Sequence, residues 1–312
     1  MIFDLIIIGG GPAGVAAGVY AARKKLRTLF LTYDFGGQSA VSAEIQNWIG
    51  TSSITGEELA KNLEAHLRAY ESDPPVGGLI IKTGSKVKKI ARTGDNFSVS
   101  TDDEQIYQAR TILIATGATR RKLIVPGAEV FEQKGITYCA TCDGPMFAGK
   151  DVAVIGGGNA AFETAWQLSA YAKSIIIIHH RVDFKADKIT VEKVSANPKI
   201  KILTNAETIE IKGDRFVKNL VYKNKSTGEI KELAVEGVFV EIGLIPATDF
   251  AKGLTALNQY GSIIVDPKNQ RASVVGVWAA GDCTDALYHQ NNIAAGDAIK
   301  ALEDIYLYLQ RK

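Results

Sequence analysis

Two glycine clusters constrain the fold of this chain more than any other feature. Residues 9–14 read Gly-Gly-Gly-Pro-Ala-Gly and residues 156–161 read Gly-Gly-Gly-Asn-Ala-Ala. Each follows an apolar run, 3–8 and 151–155, and each opens a segment with helical patterning, 13–24 and 159–171. Another apolar run comes next in both cases, 27–32 and 174–178. Strand, glycine turn, helix and strand in that order make the dinucleotide-binding unit of an α/β protein. In the first unit Gly9 permits the tight turn, Gly11 lets a pyrophosphate approach the backbone, and Gly14 lets helix and strand pack closely. The phosphates then meet the N–H groups and the positive end of the helix dipole. Each unit later reaches an apolar strand ending in glycine, 110–117 and 236–243, so the repeat is at domain scale. Two such units imply two dinucleotides, or one dinucleotide and a duplicated relic.

The 312 residues suffice for two domains of ordinary size. The segments between the nucleotide units read as β-rich additions. They are 78–89, 97–101 and 105–113 in the first half, and 201–204, 207–213, 216–223 and 229–235 in the second. Loops are expected at 73–78 and at Asn197-Pro198. With 46% hydrophobic and 22% charged residues, and no apolar run of about 20 residues, a globular chain without a membrane helix is expected. The apolar start, 1–8, lacks a basic flank and runs into glycines, so it reads as a buried strand rather than a leader. A formal charge of +2 supplies no basic field for nucleic acid. Three cysteines argue for a cytoplasmic protein rather than a disulfide scaffold.

Cys139-Ala140-Thr141-Cys142-Asp143 carries the chemistry. Two thiols two residues apart are either a redox dithiol or half of a zinc site. Zinc needs four ligands, and neither Cys283 nor His66, His179, His180 or His289 stands at ligand spacing to the pair, so no metal is expected. Asp143, directly behind the second thiol, can pass protons to and from sulfur.

Taken together, these motifs closely resemble low-molecular-weight thioredoxin reductase, an FAD-dependent pyridine nucleotide-disulfide oxidoreductase. The resemblance covers nearly the whole chain: GGGPAG at 9–14, Gly36-Gly37-Gln38, Asn47-Trp48, ATGA at 115–118, CATCDG at 139–144, GGGNAA at 156–161 and GVWAAGDC at 276–283. It implies two Rossmann-like three-layer β/β/α nucleotide-binding domains, the second inserted into the first. Residues 1–117 and 244–312 would form the FAD domain and 118–243 the NAD(P) domain carrying the Cys pair. It implies a homodimer and a thioredoxin-like protein as partner. For FAD it implies contacts from Gly9, Gly11, Pro12, Ala13, Gly14, Gly37, Gln38, Asn47, Gly281, Asp282 and Gln290. For NADPH it implies Gly156, Gly158, Asn159, Ala160, His180, Arg181 and Lys185. Cys142 would face the flavin and Cys139 would attack the partner disulfide, with Asp143 as general acid and base. The inserted domain would rotate on connections near Gly117 and Gly243 so that the disulfide serves flavin and partner in turn. Trp48, Met146 and Phe147 are candidates for the docking surface, and Cys283 reads as a small buried hydrophobe.

Three positions depart from the family pattern. NADPH-dependent members carry His-Arg-Arg and a further Arg at the end of the second strand, where this chain has His179-His180-Arg181 and Lys185. Lys lacks the bidentate fork of Arg, and a histidine at its ordinary pKa is mostly neutral at pH 7. NADPH with weakened affinity is the first expectation, NADH the second, and another donor such as ferredoxin the third. His289 replaces the usual Arg beside Gln290, and Thr32 stands where the general fingerprint has an acid. A ferredoxin– or flavodoxin–NADP reductase-like flavoenzyme would share both nucleotide units but lack the Cys pair. A peroxiredoxin-linked reductase would carry a further N-terminal domain with its own Cys-x-x-Cys, whereas this sequence opens at the first strand.

Overall fold

A computed structural model of the chain describes residues 1–42, 45–72 and 78–311, with the backbone alone described at 41, 141 and 142. The 73–77 part of the expected loop and the side chain of Cys142 lie outside the described residues. The chain forms two compact units: residues 1–119 with 245–312, and residues 120–244.

The first unit opens with β1 (Ile2–Ile8), α1 (Pro12–Arg23) and β2 (Thr28–Leu31). α2 (Gly56–Arg68), β3 (Leu79–Lys82), the hairpin β4 (Val87–Thr93) and β5 (Asn96–Thr101), and the long β6 (Ile106–Ile114) follow. β3, β2, β1 and β6 are parallel neighbours, with α1 crossing from β1 to β2 and α2 from β2 to β3. β5 joins the first half of β6 antiparallel. The 78–89 run is thus two strands rather than one. Gly84, at φ +80°, turns the chain out of the parallel sheet and into the hairpin.

From Leu5 to Ile8, β1 is buried on both faces, which explains the unbroken apolar run there. Leu5 and Ile7 pack with Val15 of α1, Leu59, Leu63 and Leu67 of α2, and the C-terminal helix. Phe3, Ile6 and Ile8 pack with Ile90, Phe97 and Val99 of the hairpin. This alternation produces the three layers. Each such side chain contributes about 1.5–3 kcal/mol by leaving water.

After β7 (Ala118–Arg120), which runs across the boundary, the second unit contains β8 (Ile136–Thr137), the short helical turn α3 (Ala140–Asp143), β9 (Asp151–Ile155), α4 (Asn159–Leu168), β10 (Ser174–Ile178) and α5 (Lys188–Ser195). β11 (Ile200–Leu203), β12 (Ala206–Gly213), β13 (Val217–Asn224), β14 (Ile230–Ala234) and β15 (Gly237–Val240) complete it, and β16 (Leu244–Pro246) runs back across the boundary. β11, β10, β9, β15 and β8 form a parallel sheet, and β12, β13 and β14 a separate antiparallel one. Val152, Val154 and Phe239 face α4, while Ala153, Ile155 and Val240 face Val217, Leu220 and Tyr222 of the antiparallel sheet. The two units therefore share one design. β7 and β16, the two connecting strands, pair with each other. Gly117 (φ +66°) and Gly243 (φ +106°) precede them.

The returning chain adds β17 (Val277–Ala279) beside the second half of β6, in parallel, and ends in α6 (Asn291–Gln310). Among the described residues no helix is long and apolar enough to cross a membrane.

Candidate active site

The first nucleotide turn has the geometry its glycines suggest. Gly9 sits at φ +120°, and a Cβ there would lie 2.2 Å from Ala115 O. A Cβ on Gly14 would lie 1.8 Å from Gly9 O, so α1 meets the end of β1 closely only without a side chain. Gly11 is different. A Cβ there would meet nothing within 4 Å, which leaves open space in front of the N-terminus of α1. Gly11 caps that helix, Pro12 occupies its first position, where no N–H is needed, and Ala13 and Gly14 are buried in its first turn. Clearance at Gly11 before a helix N-terminus fits a pyrophosphate.

Segments far apart in sequence meet beside this turn. Gly36 (φ +90°) and Gly37 (φ +57°) lead into a 3₁₀ turn, Gly37–Val41. Gln38 Nε2 donates to Asp282 Oδ2 at 3.1 Å, and His289 Nδ1 lies 3.3 Å from Asp282 Oδ1. Gly281 holds φ +76°, which turns the chain out of β17 and presents Asp282. Asn47 Nδ2 donates to Oε1 of Gln290, the N-cap residue of α6, at 3.0 Å. Ser39 Oγ donates to Asn291 Oδ1 at 2.9 Å, and Asn292 Nδ2 donates to Asn47 O at 2.7 Å. The structure thus brings Gln38, Asn47, Asp282 and Gln290 into one polar cluster. Ser39, Asn291 and Asn292 belong to it and were not read from the sequence, because two asparagines at a helix start look like ordinary capping polarity. Cys283 lies behind Asp282, free and fully buried, with its thiol pushed up to about 11 by burial. That environment makes it a core residue.

In the second unit Gly158 caps α4, and a Cβ on it would also meet nothing within 4 Å. A Cβ on Gly156 would lie 2.4 Å from Glu241 O. Asn159 opens α4 and exchanges two hydrogen bonds with Asp187, at 3.0 and 2.8 Å, while Ala160 is exposed. His180, Arg181 and Lys185 are exposed, and Lys185 N donates to Gly157 O at 2.9 Å, folding this loop back onto the glycine turn. His179 is instead 6% exposed and packs on Gly157. Burial lowers the pKa of both histidines, and Arg181 lowers that of His180 further. Open space at Gly158 and a rim of cations fit a second dinucleotide.

The dithiol segment sits between β8 and α4. Cys139 is disulfide-bonded. Asp143 closes the helical turn after it, its N–H donating to Cys139 O at 3.0 Å. The Thr137 hydroxyl donates to Asp143 Oδ2 and accepts from the Cys139 N–H at 3.4 Å. Burial raises the pKa of Asp143, and the Thr137 hydrogen bond opposes that rise. The site therefore holds a carboxyl group tuned toward its protonated form next to a disulfide, which suits a general acid for thiolate release. Thr137 was not anticipated, since a threonine at a strand end carries no signal of its own. Met146 is exposed, but Phe147, a candidate docking residue, is buried edge-on against Phe239 in the core. Trp48 packs partly buried against the first-unit core.

Comparison with known proteins assigns the class. A family model for pyridine nucleotide-disulphide oxidoreductases matches residues 3–298, and the chain belongs to that family. Membership implies FAD and a pyridine nucleotide as cofactors. Among solved structures, thioredoxin reductase from Streptococcus pyogenes matches with a TM-score of 0.85 and 35% identity, over 100% of this chain and 99% of that one. Thioredoxin reductase from Giardia duodenalis matches with a TM-score of 0.87 and 33% identity, over 99% of each. Among curated proteins, an NADH dehydrogenase of Bacillus subtilis is 38% identical over 309 residues, which are 99% of this chain and 59% of that protein. An alkyl hydroperoxide reductase protein of Escherichia coli is 38% identical over 310 residues, 99% of this chain and 58% of that protein. The chain spans about three-fifths of the length of these curated relatives.

Proposed function

We propose that this chain is a thioredoxin reductase: a cytoplasmic, homodimeric flavoprotein that takes electrons from NADPH and delivers them through Cys139 and Cys142 to a thioredoxin-like protein. The observation that carries the reading is a disulfide-bonded Cys139 beside a buried carboxyl at Asp143, in a chain with two dinucleotide turns. Full-length likeness to thioredoxin reductases supports it.

Bound FAD would supply two-electron chemistry, the acceptance of a hydride and delivery of its electron pair to a disulfide. Gly9, Gly11, Pro12, Ala13 and Gly14 would hold its pyrophosphate; Gly37, Gln38, Asn47, Gly281, Asp282 and Gln290 would hold the rest. Gly156, Gly158, Asn159 and Ala160 would hold the nicotinamide dinucleotide, with His180, Arg181 and Lys185 at its adenosine end. In the reduced enzyme the Cys139 thiolate attacks the partner disulfide. One sulfur of the partner bonds to Cys139, and the other leaves as a thiolate and takes the proton of Asp143. The Cys142 thiolate then attacks Cys139, which releases the second partner sulfur as a thiolate that takes its proton from water, and closes the Cys139–Cys142 disulfide. Two electrons pass from the dithiol to the partner. The glycine-bearing connections at Gly117 and Gly243 would let the inserted unit serve flavin and partner in turn.

Cys142→Ser is the test. It should abolish thioredoxin-dependent disulfide turnover, leave FAD bound, and trap the partner as a mixed disulfide with Cys139. A fully active Cys142→Ser enzyme would sink the assignment. Two observations favour neighbouring readings. Relatives named NADH dehydrogenase, together with His180 and Lys185 where arginines stand in the family, favour NADH as donor. Stopped-flow bleaching of the flavin by each nucleotide decides between them. Likeness to the alkyl hydroperoxide reductase protein favours alkyl hydroperoxide reduction as the destination of the electrons, and a peroxide assay with candidate partners decides that.

A further inference from the structure

The cations at the end of β10 are joined by one that the strand–turn–helix unit does not contain. Asn205, in the left-handed region at φ +51°, forms the turn between β11 and β12. Its N–H donates to Arg181 O at 3.1 Å, and its carbonyl accepts from Lys225 N–H at 2.7 Å. Its Nδ2 donates to Ser226 Oγ at 3.0 Å. One residue thus ties Arg181, in the loop after β10, to Lys225, in the β13–β14 turn, across a long stretch of chain. The tie brings Lys225 close to His180: the charges of Arg181 and Lys225 add to burial in lowering the His180 pKa, while Glu207 acts in the opposite direction. His180, Arg181, Lys185, Glu207 and Lys225 are all exposed. Among the described residues, Arg181, Lys185 and Lys225 have no carboxylate within ion-pair distance. Like charges gathered without an ion-paired carboxylate repel, and a bound anion relieves that repulsion. At this end of a dinucleotide fold, a basic side chain accommodates the 2′-phosphate of the adenosine ribose.

We propose that Lys225 is a specificity-determining residue for the nucleotide donor: with Arg181 and Lys185 it supplies the positive charge for a ribose 2′-phosphate, and so favours the phosphorylated dinucleotide over the unphosphorylated one. The proposal rests on the pyridine-nucleotide donor argued above. The hairpin turn supplies a positive charge where the motif has His180 in place of an arginine.

The test is calorimetric binding of adenosine 2′,5′-bisphosphate and of adenosine 5′-monophosphate to the holoprotein. Wild type should bind the bisphosphate more tightly. Lys225→Gln should weaken the bisphosphate about fivefold, the scale of one exposed charge pair, and leave the monophosphate unchanged. Lys225→Arg should restore the difference, raised salt should shrink it, and Glu207→Gln should enlarge it. A Lys225→Gln protein with the wild-type ratio overturns the proposal, and so does a wild type without preference for the bisphosphate. Flavin bleaching on the same samples separates the two readings. Bleaching by either nucleotide without a Lys225 effect overturns this proposal alone. No bleaching by NADPH or NADH overturns the donor reading and this proposal with it.

Discussion

His179 shows how one side chain in the loop proposed to bind nucleotide can be structural. Its ring lies against Gly157, where a Cβ would come within 2.3 Å of Nδ1 and Cε1. Nε2 is 3.1 Å from Asp183 O, which makes Nε2 the protonated nitrogen and leaves buried Nδ1 with no partner among the described residues. Protonating Nδ1 would bury a donor without an acceptor, and burial lowers the His179 pKa accordingly. A folded pKa below the unfolded value of about 6.5 means that the native state binds fewer protons. Stability from this group is therefore present above about pH 6.5 and declines as pH falls below it. The urea midpoint of the wild type should drop between pH 7.5 and 5.5, and His179→Asn should flatten that slope. Asp143 yields a second expectation of the opposite sense. Thr137→Val removes the hydrogen bond that favours the carboxylate, so the Asp143 pKa should rise further. The pH profile of disulfide turnover should move to higher pH in Thr137→Val and stay in place in Thr137→Ser. Neither effect was legible in the sequence. Cys139, Cys142 and Asp143 were visible as a motif, but burial and hydrogen bonding set the protonation of Asp143, and those depend on tertiary neighbours.

Elements were legible where the pattern was strongly periodic or marked by glycine. β1, α1, β9 and β10 lie where apolar runs and glycine turns placed them. α2 was not read, although its N-terminus carries a signature. The Thr55 hydroxyl accepts from Glu58 N–H at 3.1 Å, and Glu58 Oε2 accepts from Thr55 N–H at 3.1 Å, a complete capping box. Behind it, Leu59, Leu63 and Leu67 repeat at helical spacing and bury on the sheet. Thr55→Ala should cost about 1 kcal/mol, seen as a lower denaturation midpoint, without changing flavin content. The division of 78–89 into β3 and β4 escaped because the run has strand character on both sides of Gly84. Which sheet a strand joins is decided by its partners, and periodicity alone does not encode partners.

At the scale of the whole molecule, the buried clusters respect the division of the chain. Every residue of the two clusters around β1 comes from 1–119 or 245–312, and every residue of the two around β9 from 120–244. α6 closes the first unit only after the insert has been traversed: Ala298, Ala301, Leu302 and Ile305 complete the core begun by α1. The sequence exposed the repeat, since each unit needs its own glycine turn, but the hairpin that delivers Lys225 and the clip between Asn47 and Gln290 join residues too distant for any local pattern. Because each core is closed within its own unit, removing the insert should leave the first unit able to fold. Thr119 Oγ1 lies 3.4 Å from Ile245 O, so the two cut ends are adjacent and a short glycine linker bridges them. Residues 1–119 joined to 245–312 should unfold in one cooperative transition and bind FAD with a stoichiometry near one, while showing no disulfide reductase activity. The polar cluster of Gln38, Asn47, Asp282 and Gln290 lies wholly within that joined chain, so flavin retention reads the site and cooperative unfolding reads the core. A protein that fails to bind FAD yet unfolds cooperatively would assign part of the flavin site to the insert, and an aggregated or non-cooperative one would show that the first core needs it.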